Sequence, residues 1–469
     1  MGILYKSIHL LAILFLFAFL LSCKKGPKSF KPSITTIEGQ ISSMESPNVK
    51  FQGISEQNLL LGANGKFSLA TELSEAGIYK IIMGYQSLNI YLEPGNKVSF
   101  ASDYRNPAIT KFEGDHALEN NYLIAYEKVK QESIEDDFKT LYSLDEESFL
   151  KKIEERTQKI ILHQQNFQKD NAAFSQIFGE ILSEDISYDA SIMKLNYSAY
   201  YEYFNPDSTL KLTDTYDSFL QNVEPDNEAN LLIPSFRSFL PLYIAFRASQ
   251  DSTSIDKSET FRKFQVISNK LTNNTIKEIA AYELLKEAIQ SEPNGVAEVI
   301  SDYSKLQTNA QYNQEINEMF NTWKHLIKGN PAPEWKYKDL KNKEVSLSSF
   351  KNKVVYIDVW ATWCGPCLRE LPHLEKLQEL YASTQDLVFV SISIDQDKKA
   401  WEAMVKDKNM KGIQLFADQA WSSKIVSDYR INGIPRFLII GKDGMIVDAN
   451  ALRPSAKKLI NVLDKALKS

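Results

Sequence analysis

The sequence predicts a multidomain protein that ends in an α/β domain, a central mixed sheet flanked by helices. A small β-sandwich-like domain and an all-α domain precede it. Three observations predict this. The 469 residues exceed what one hydrophobic core normally organises. Strand-like, helix-like and alternating patterns occupy successive stretches of the chain. GNPAPEW, residues 329–335, marks a linker before the last stretch, because two prolines and a glycine cannot continue a helix. The 43% apolar and 24% charged fractions are those of an ordinary folded protein. A net charge of −6, with no dense Lys/Arg stripe, argues against a nucleic-acid partner.

The first segment is expected to leave the fold. Lys6 supplies a positive start, and the apolar run at residues 8–21 has fourteen residues. That length reaches about two-thirds of a bilayer core of roughly 30 Å, which fits a signal peptide over residues 1–22 rather than a permanent span. The run ends LLSC, which resembles the lipobox of bacterial lipoproteins. That resemblance implies cleavage before Cys23, acylation of its thiol, and a lipid-anchored tether over residues 23–32. The alternative is a plain secretory signal with a cysteine nearby. Of the three cysteines, an acylated Cys23 leaves only Cys364 and Cys367 for a disulfide in an exported chain.

Residues 33–112 are expected to form the β-rich domain. ITTIEGQIS, NVKFQGIS, KFSLATEL, YKIIMG and LNIYLEP carry alternating or β-rich patterns, with turn signals at Asn64-Gly65 and Pro94-Gly95-Asn96. A small antiparallel sandwich follows from strands in succession without helical periods. It loosely resembles the β-domain of unknown function that precedes redox domains in some bacterial envelope proteins. Residues 113–328 are expected to be helical. Only Gly179 and Gly295 interrupt 115–328, and Pro206, Pro225, Pro234, Pro241 and Pro293 mark helix boundaries. The tyrosine-rich NYSAYYEYF, 196–204, either packs between helices or lines a groove.

From 329 to 469 strands and helices alternate. KVVYIDVW, LVFVSISID and IQLFAD predict strands. CLRELPHLEKLQELYAS, KKAWEAMVKD and SSKIVSDYR predict helices. FLIIGKDGMIVDA predicts a hairpin turning at Lys442-Asp443-Gly444, and SAKKLINVLDKALK an amphipathic closing helix.

WATWCGPC, 360–367, carries the chemistry. Cys364 and Cys367 sit where an apolar strand ends and a helix opens. Residues i and i+3 of a helix are close enough for modest adjustment to close a disulfide. The helix N-terminus favours a thiolate. Cys364, nearer the exposed edge, is expected to attack, and Cys367, one turn inside, to resolve the mixed disulfide. A zinc site wants four ligands, and no second Cys or Cys/His pair accompanies the motif; His373 cannot complete one. The peroxiredoxin pattern has threonine three residues before its cysteine, where Ala361 stands. Dithiol redox chemistry remains.

VVYIDVWATWCGPC followed by Pro372, with Ile434-Pro435 downstream, resembles a thioredoxin active site. The PAPEW lead-in and the long 395–430 segment are similar to the TlpA-like branch of that family. The resemblance implies a thioredoxin-like fold for 329–469 and catalytic roles for Cys364, Cys367, Asp358 and Pro435. Trp363 and Ile434 would bind substrate. Asp358 matches the family's buried acid, which exchanges a proton with the resolving cysteine. A carboxylate in an apolar strand is also unfavourable unless paired or protonated, so a purely structural acid is the alternative. Pro435 would hold a cis bond and let Ile434 dock an extended substrate segment; Pro372 kinks the helix. Two positions depart from the pattern. Ser391 stands where thioredoxins carry a lysine near the acid, and Arg436 follows the proline in place of threonine. Arg436 either selects acidic partners or is simply solvated.

The resemblance further implies a periplasm-facing, membrane-anchored envelope lipoprotein that reduces disulfides of protein substrates, in cytochrome c maturation. A membrane thiol-reducing transporter would restore its electrons. No metal or organic cofactor is called for. A disulfide oxidase or isomerase, and a binding or scaffold lipoprotein with an accessory redox domain, stay open as alternatives. The pair's reduction potential decides the direction.

Overall fold

The computed structural model describes residues 30–44, 48–134, 137–206 and 208–469. The signal peptide, Cys23 and most of the tether lie outside the described residues. Among those residues, no helix is long and apolar enough to cross a membrane. The chain divides into two compact units, one up to Tyr243 and one from Ile244.

The first unit opens with eight strands: β1 (Ser33–Ser42), β2 (Val49–Gln52), β3 (Glu56–Leu59), β4 (Lys66–Leu73), β5 (Gly77–Met83), β6 (Gln86–Leu92), β7 (Lys97–Asp103) and β8 (Asn106–Gly114). They form two four-stranded sheets, ordered β4-β1-β7-β8 and β3-β2-β5-β6. Alternate residues point inward, so Ile37, Phe67 and Phe100 of one sheet meet Phe51, Ile81 and Ile90 of the other in a common core. This is a sandwich, but not a purely antiparallel one, because β1 and β7 pair in parallel. Parallel neighbours need a long crossover, and β2, β3, β5 and β6, which build the second sheet, lie within it. Strands β3, β7 and β8 fall outside the five expected segments. β3 and β8 are edge strands with mostly exposed side chains, so ladder hydrogen bonds rather than an apolar pattern define them.

Five helices follow: α1 (Ala117–Glu132), α2 (Phe138–Tyr142), α3 (Glu146–Asp170), α4 (Gln176–Phe204) and α5 (Pro234–Ser249). α1 closes two sheet edges with side-chain amides. Asn120 bonds the N–H and C=O of Tyr91 on β6, and Asn121 those of Phe112 on β8. Exposed edges are thereby denied to other chains. Pro241 lies inside α5 rather than at a boundary. The lost backbone bond costs about 3 kcal/mol. Burial of Phe236, Phe239 and Leu240 offsets it at roughly 1.5–3 kcal/mol each. In the tyrosine-rich stretch, Tyr197 is fully buried and stacks on Phe149 with centroids 4.2 Å apart, whereas Tyr203 is exposed.

In the second unit, α6 (Glu259–Lys270), α7 (Asn274–Ser291), α8 (Pro293–Leu306) and α9 (Ala310–Trp323) precede an alternating α/β region. That region runs β9 (Lys336–Asp339), β10 (Glu344–Ser346), β11 (Val354–Trp360), α10 (Gly365–Leu380), β12 (Leu387–Ser393), α11 (Lys398–Asp407), β13 (Ile413–Phe416), α12 (Lys424–Asp428), β14 (Arg436–Ile440), β15 (Ile446–Asp448) and α13 (Leu459–Lys468). Its strands form one seven-stranded sheet in the order β10-β9-β13-β12-β11-β14-β15. β11, β12 and β13 are parallel and the others antiparallel, so the sheet is mixed as expected. All seven residues of β11 are buried. Leu374 and Leu377 of α10 and Leu459 and Leu463 of α13 pack on Val354 and Tyr356.

The 329–335 segment is not a free linker. Gly329 donates to the Ile446 carbonyl, Ile446 to Asn330 and Ala332 to Gly444, and Trp335 is buried. β15 is an edge strand whose outer backbone groups require partners, and this segment supplies them.

Candidate active site

The central strand delivers the site. β11 is built of β-branched and aromatic residues apart from Asp358, and it ends at Trp360, where Ala361, Thr362 and Trp363 lead into α10. Cys364 is the N-cap of α10, with Gly365 and Pro366 opening the first turn. Proline is tolerated there because first-turn N–H groups have no intrahelical acceptor. Cys364 and Cys367 form a disulfide with Cα atoms 5.3 Å apart. The Cys367 N–H donates to Cys364 Sγ at 3.2 Å. That bond, with the helix dipole, favours negative charge on Cys364.

Exposure does not distinguish the two residues as expected, since Cys364 is 4% and Cys367 3% exposed. The backbone N–H aimed at Cys364 is the asymmetry between them. Trp363, by contrast, is 58% exposed beside the pair, and its ring centroid lies 6.3 Å from that of Trp421.

β14 runs antiparallel to β11, with Arg436 opposite Val359 and Phe437 opposite Asp358. That register carries the preceding residues, Ile434 and Pro435, to the end of β11 at which the CGPC turn begins. The Ile434–Pro435 bond is cis, and both residues are half-buried. Arg436 is half-buried rather than solvated. Burial lowers its pKa while Asp448 on the neighbouring β15 opposes the shift. The adjacency of β14 and β15 brings the two together.

Asp358 is buried, and burial is the main force pushing its carboxyl pKa up to about 7. The negative charge of Glu370 adds to the rise, and the Ser391 hydroxyl, standing in register on β12, pulls the other way. A buried carboxyl with a charged carboxylate nearby and no cation partner holds its proton to near-neutral pH. Glu370 itself is buried on α10 and accepts hydrogen bonds from the Ser455 N–H and hydroxyl, both at 3.0 Å.

Two acids escaped the sequence reading. Glu370 carried a signal, its position one helical turn beyond Cys367, which places both on the buried face. The second, Asp395, ends the LVFVSISID strand segment. Its carboxylate accepts from the Thr362 N–H at 3.0–3.1 Å, from the Thr362 hydroxyl at 2.6 Å and from Ser393 Oγ at 2.7 Å. It thereby pins the loop that presents Trp363 and Cys364.

Helices of the same unit reach the loops around this end of the sheet. At the α7–α8 corner Gln290 accepts from Asn432 Nδ2 at 3.1 Å, and the Ser291 carbonyl from Asn450 Nδ2 at 3.0 Å. Asn432 lies two residues before Ile434. Among the described residues no group of three His, Cys, Asp or Glu side chains could hold a metal ion.

Known proteins share this part of the chain. The Redoxin family matches residues 327–466. The thioredoxin-like protein YneN of Bacillus subtilis is 30% identical over 140 residues, covering 30% of this chain and 80% of that protein. The thiol-disulfide oxidoreductase ResA of Bacillus cereus is 28% identical over 137 residues, 29% of this chain and 77% of that one. The thioredoxin domain of a thiol-disulfide oxidoreductase from Bacteroides vulgatus, a crystal structure, is 27% identical. That likeness covers 30% of this chain and 97% of the other, with a TM-score of 0.28. Through this C-terminal domain the chain belongs to the TlpA/ResA-like, thioredoxin-like family of thiol-disulfide oxidoreductases.

Proposed function

We propose that this protein is a lipid-anchored, periplasm-facing protein-disulfide reductase. The observation that carries the reading is the CGPC pair at the α10 N-cap, just past the end of β11, with the buried Asp358 carboxyl of that strand pushed up to about 7, where it can gain or lose a proton. In the reduced enzyme, the Cys364 thiolate attacks one sulfur of a substrate disulfide. The S–S bond breaks, a Cys364–substrate disulfide forms, and the other substrate sulfur leaves as a thiolate and takes a proton. Cys367 gives its proton to ionised Asp358 and attacks Cys364 Sγ. The mixed disulfide breaks, the second substrate sulfur leaves as a thiolate and takes a proton, Asp358 returns its own to solvent, and the Cys364–Cys367 disulfide remains. Two electrons have passed to the substrate. A membrane thiol-reducing transporter returns them.

Trp363 and the Ile434–Pro435 backbone dock the substrate segment beside the disulfide. The α7–α8 corner, tied to Asn432, narrows the approach from the proline side and supports a presenting role for residues upstream of the redox domain. The LLSC segment supports acylation at Cys23 and an envelope location; mass spectrometry of the mature N-terminus tests it. Resemblance to the TlpA-like branch supports apocytochrome c thiols as the product, which a count of c-type cytochromes in a deletion strain tests.

The central experiment is a Cys367→Ser trap in the full-length protein. Cys364 then retains its substrates as stable mixed disulfides, identifiable after non-reducing separation. Recovery of none, or equal recovery with a Cys364→Ser control, removes the reductase reading. A measured potential far above that of a thioredoxin, with net oxidation of reduced substrates, replaces it with an oxidase.

A further inference from the structure

Beside the disulfide lies an open groove of about 350 Å³. The exposed indoles of Trp363 and Trp421 line it, together with the nearly buried Ile394 and Ala420 and with Asp395 and Asp397. The two indoles are 58% and 43% exposed, and their planes meet at 40°. Large exposed aromatic surface is costly in water and marks a place where something is covered. The charge is one-sided. Among the described residues that line the groove, two are carboxylates and none is a lysine, arginine or histidine. Asp395 is already engaged by Thr362 and Ser393. Asp397 is exposed, and it caps α11 through Oδ1, which accepts from the Lys399 and Ala400 N–H groups.

We propose that this groove is a specificity subsite for an arginine side chain of the substrate protein, close in sequence to the cysteine under attack. The inference rests on the reductase reading above and names the substrate class. Trp363 immediately precedes Cys364, so whatever lies on its ring also lies next to the reacting sulfur. The occupant must have an apolar stem to lie along the exposed indoles of Trp363 and Trp421 and a cationic head to meet the exposed Asp397. An aliphatic side chain satisfies only the indoles, and an acidic one is repelled. Arginine fits better than lysine, because its planar guanidinium stacks on indole faces and pairs with a carboxylate at once.

The test uses reduced full-length protein and disulfide-bonded peptides that differ only at one residue near the cysteine, which is Arg, Leu or Glu. The expected order of kcat/KM is Arg, then Leu, then Glu, with Arg about tenfold over Glu and the difference carried by KM. The preference shrinks at about 500 mM NaCl, where exposed charges are screened. Trp421→Ala and Asp397→Asn each lower the Arg-to-Glu ratio to about threefold or less. Asparagine retains the N-cap of α11, so a folding defect does not obscure that second variant. Equal turnover of all three peptides, preference for Leu or Glu, or a ratio that survives both substitutions overturns the subsite. Failure to reduce any of the peptides instead removes the reductase reading itself, and the subsite with it.

Discussion

Asp358 stands opposite Ser391 across the parallel β11–β12 ladder, and no lysine replaces that hydroxyl as a partner in register. Burial therefore dominates, and the carboxyl titrates at about 7. Its ordinary value of 3.8 applies once the chain unfolds. Below that value both states are protonated and the group has no effect on folding. Between it and about 7 the unfolded chain has lost the proton that the native state still holds, so stability falls as pH rises. The full loss is on the order of 4 kcal/mol. Asp358→Asn flattens this slope, raising the urea midpoint at alkaline pH more than at acid pH. It also abolishes the rise in mixed-disulfide resolution through neutral pH, measured by rapid quench. An unchanged pH profile assigns Asp358 a structural role only.

Asp395 holds the loop before Cys364 through three donors, the Thr362 N–H and hydroxyl and the Ser393 hydroxyl. Asp395→Ala leaves the buried Ser393 hydroxyl unpaired, at about 1–3 kcal/mol, and the half-buried Thr362 donors unpaired at less. The chemical-denaturation midpoint falls, and reduction of model peptides slows. Asp395→Asn keeps acceptor capacity and loses less of both. If the alanine variant matches wild type in midpoint and rate, the loop is positioned by other contacts.

Gln290 reaches Asn432, two residues ahead of the Ile434–Pro435 bond. Gln290→Ala removes one exposed hydrogen bond, and the stability change stays within about 1 kcal/mol. If the helical corner narrows the docking side, KM for a protein disulfide changes several-fold while reduction of a small aromatic disulfide does not. Parallel changes in both substrates, or in neither, dismiss that role.

Gly39 on β1 faces the sandwich core, where a Cβ would come 2.2 Å from Phe67 Cε1. The aromatic ring must move, and overpacking of this kind costs about 1–3 kcal/mol. In Gly39→Ala, amide exchange accelerates in β1 and β4, and exchange in β11 and β12 keeps its wild-type rate. Acceleration in both places would mean that the two units unfold as one.

The α/β order after residue 329 was legible because each element carries its own period. KVVYIDVW is apolar but for Lys353 and Asp358, KKAWEAMVKD is amphipathic, and Lys442-Asp443-Gly444 turns a hairpin; these are local properties, and β11, α11 and the β14–β15 pair occupy those segments. The sandwich was less legible. The inward alternation of β1 and β4 is local, but the parallel β1–β7 pairing joins residues about sixty positions apart, and no sequence period encodes a partner. Pro241 misled for a related reason, since its local preference was overruled by the burial of its neighbours.

The sequence by itself determined the redox motif, the strand that carries Asp358 and the Ile434-Pro435 dipeptide, because residue types and short spacings carry each of them. Only the tertiary structure decided the surroundings. Helix packing buried Glu370 near Asp358, and the loop after β12 brought Asp395 to Thr362. The fold alone set Trp421 beside Trp363, fifty-eight residues away along the chain. Contacts of that range depend on where several elements come to rest together. The free energy that places them belongs to the packed core rather than to any segment of the chain.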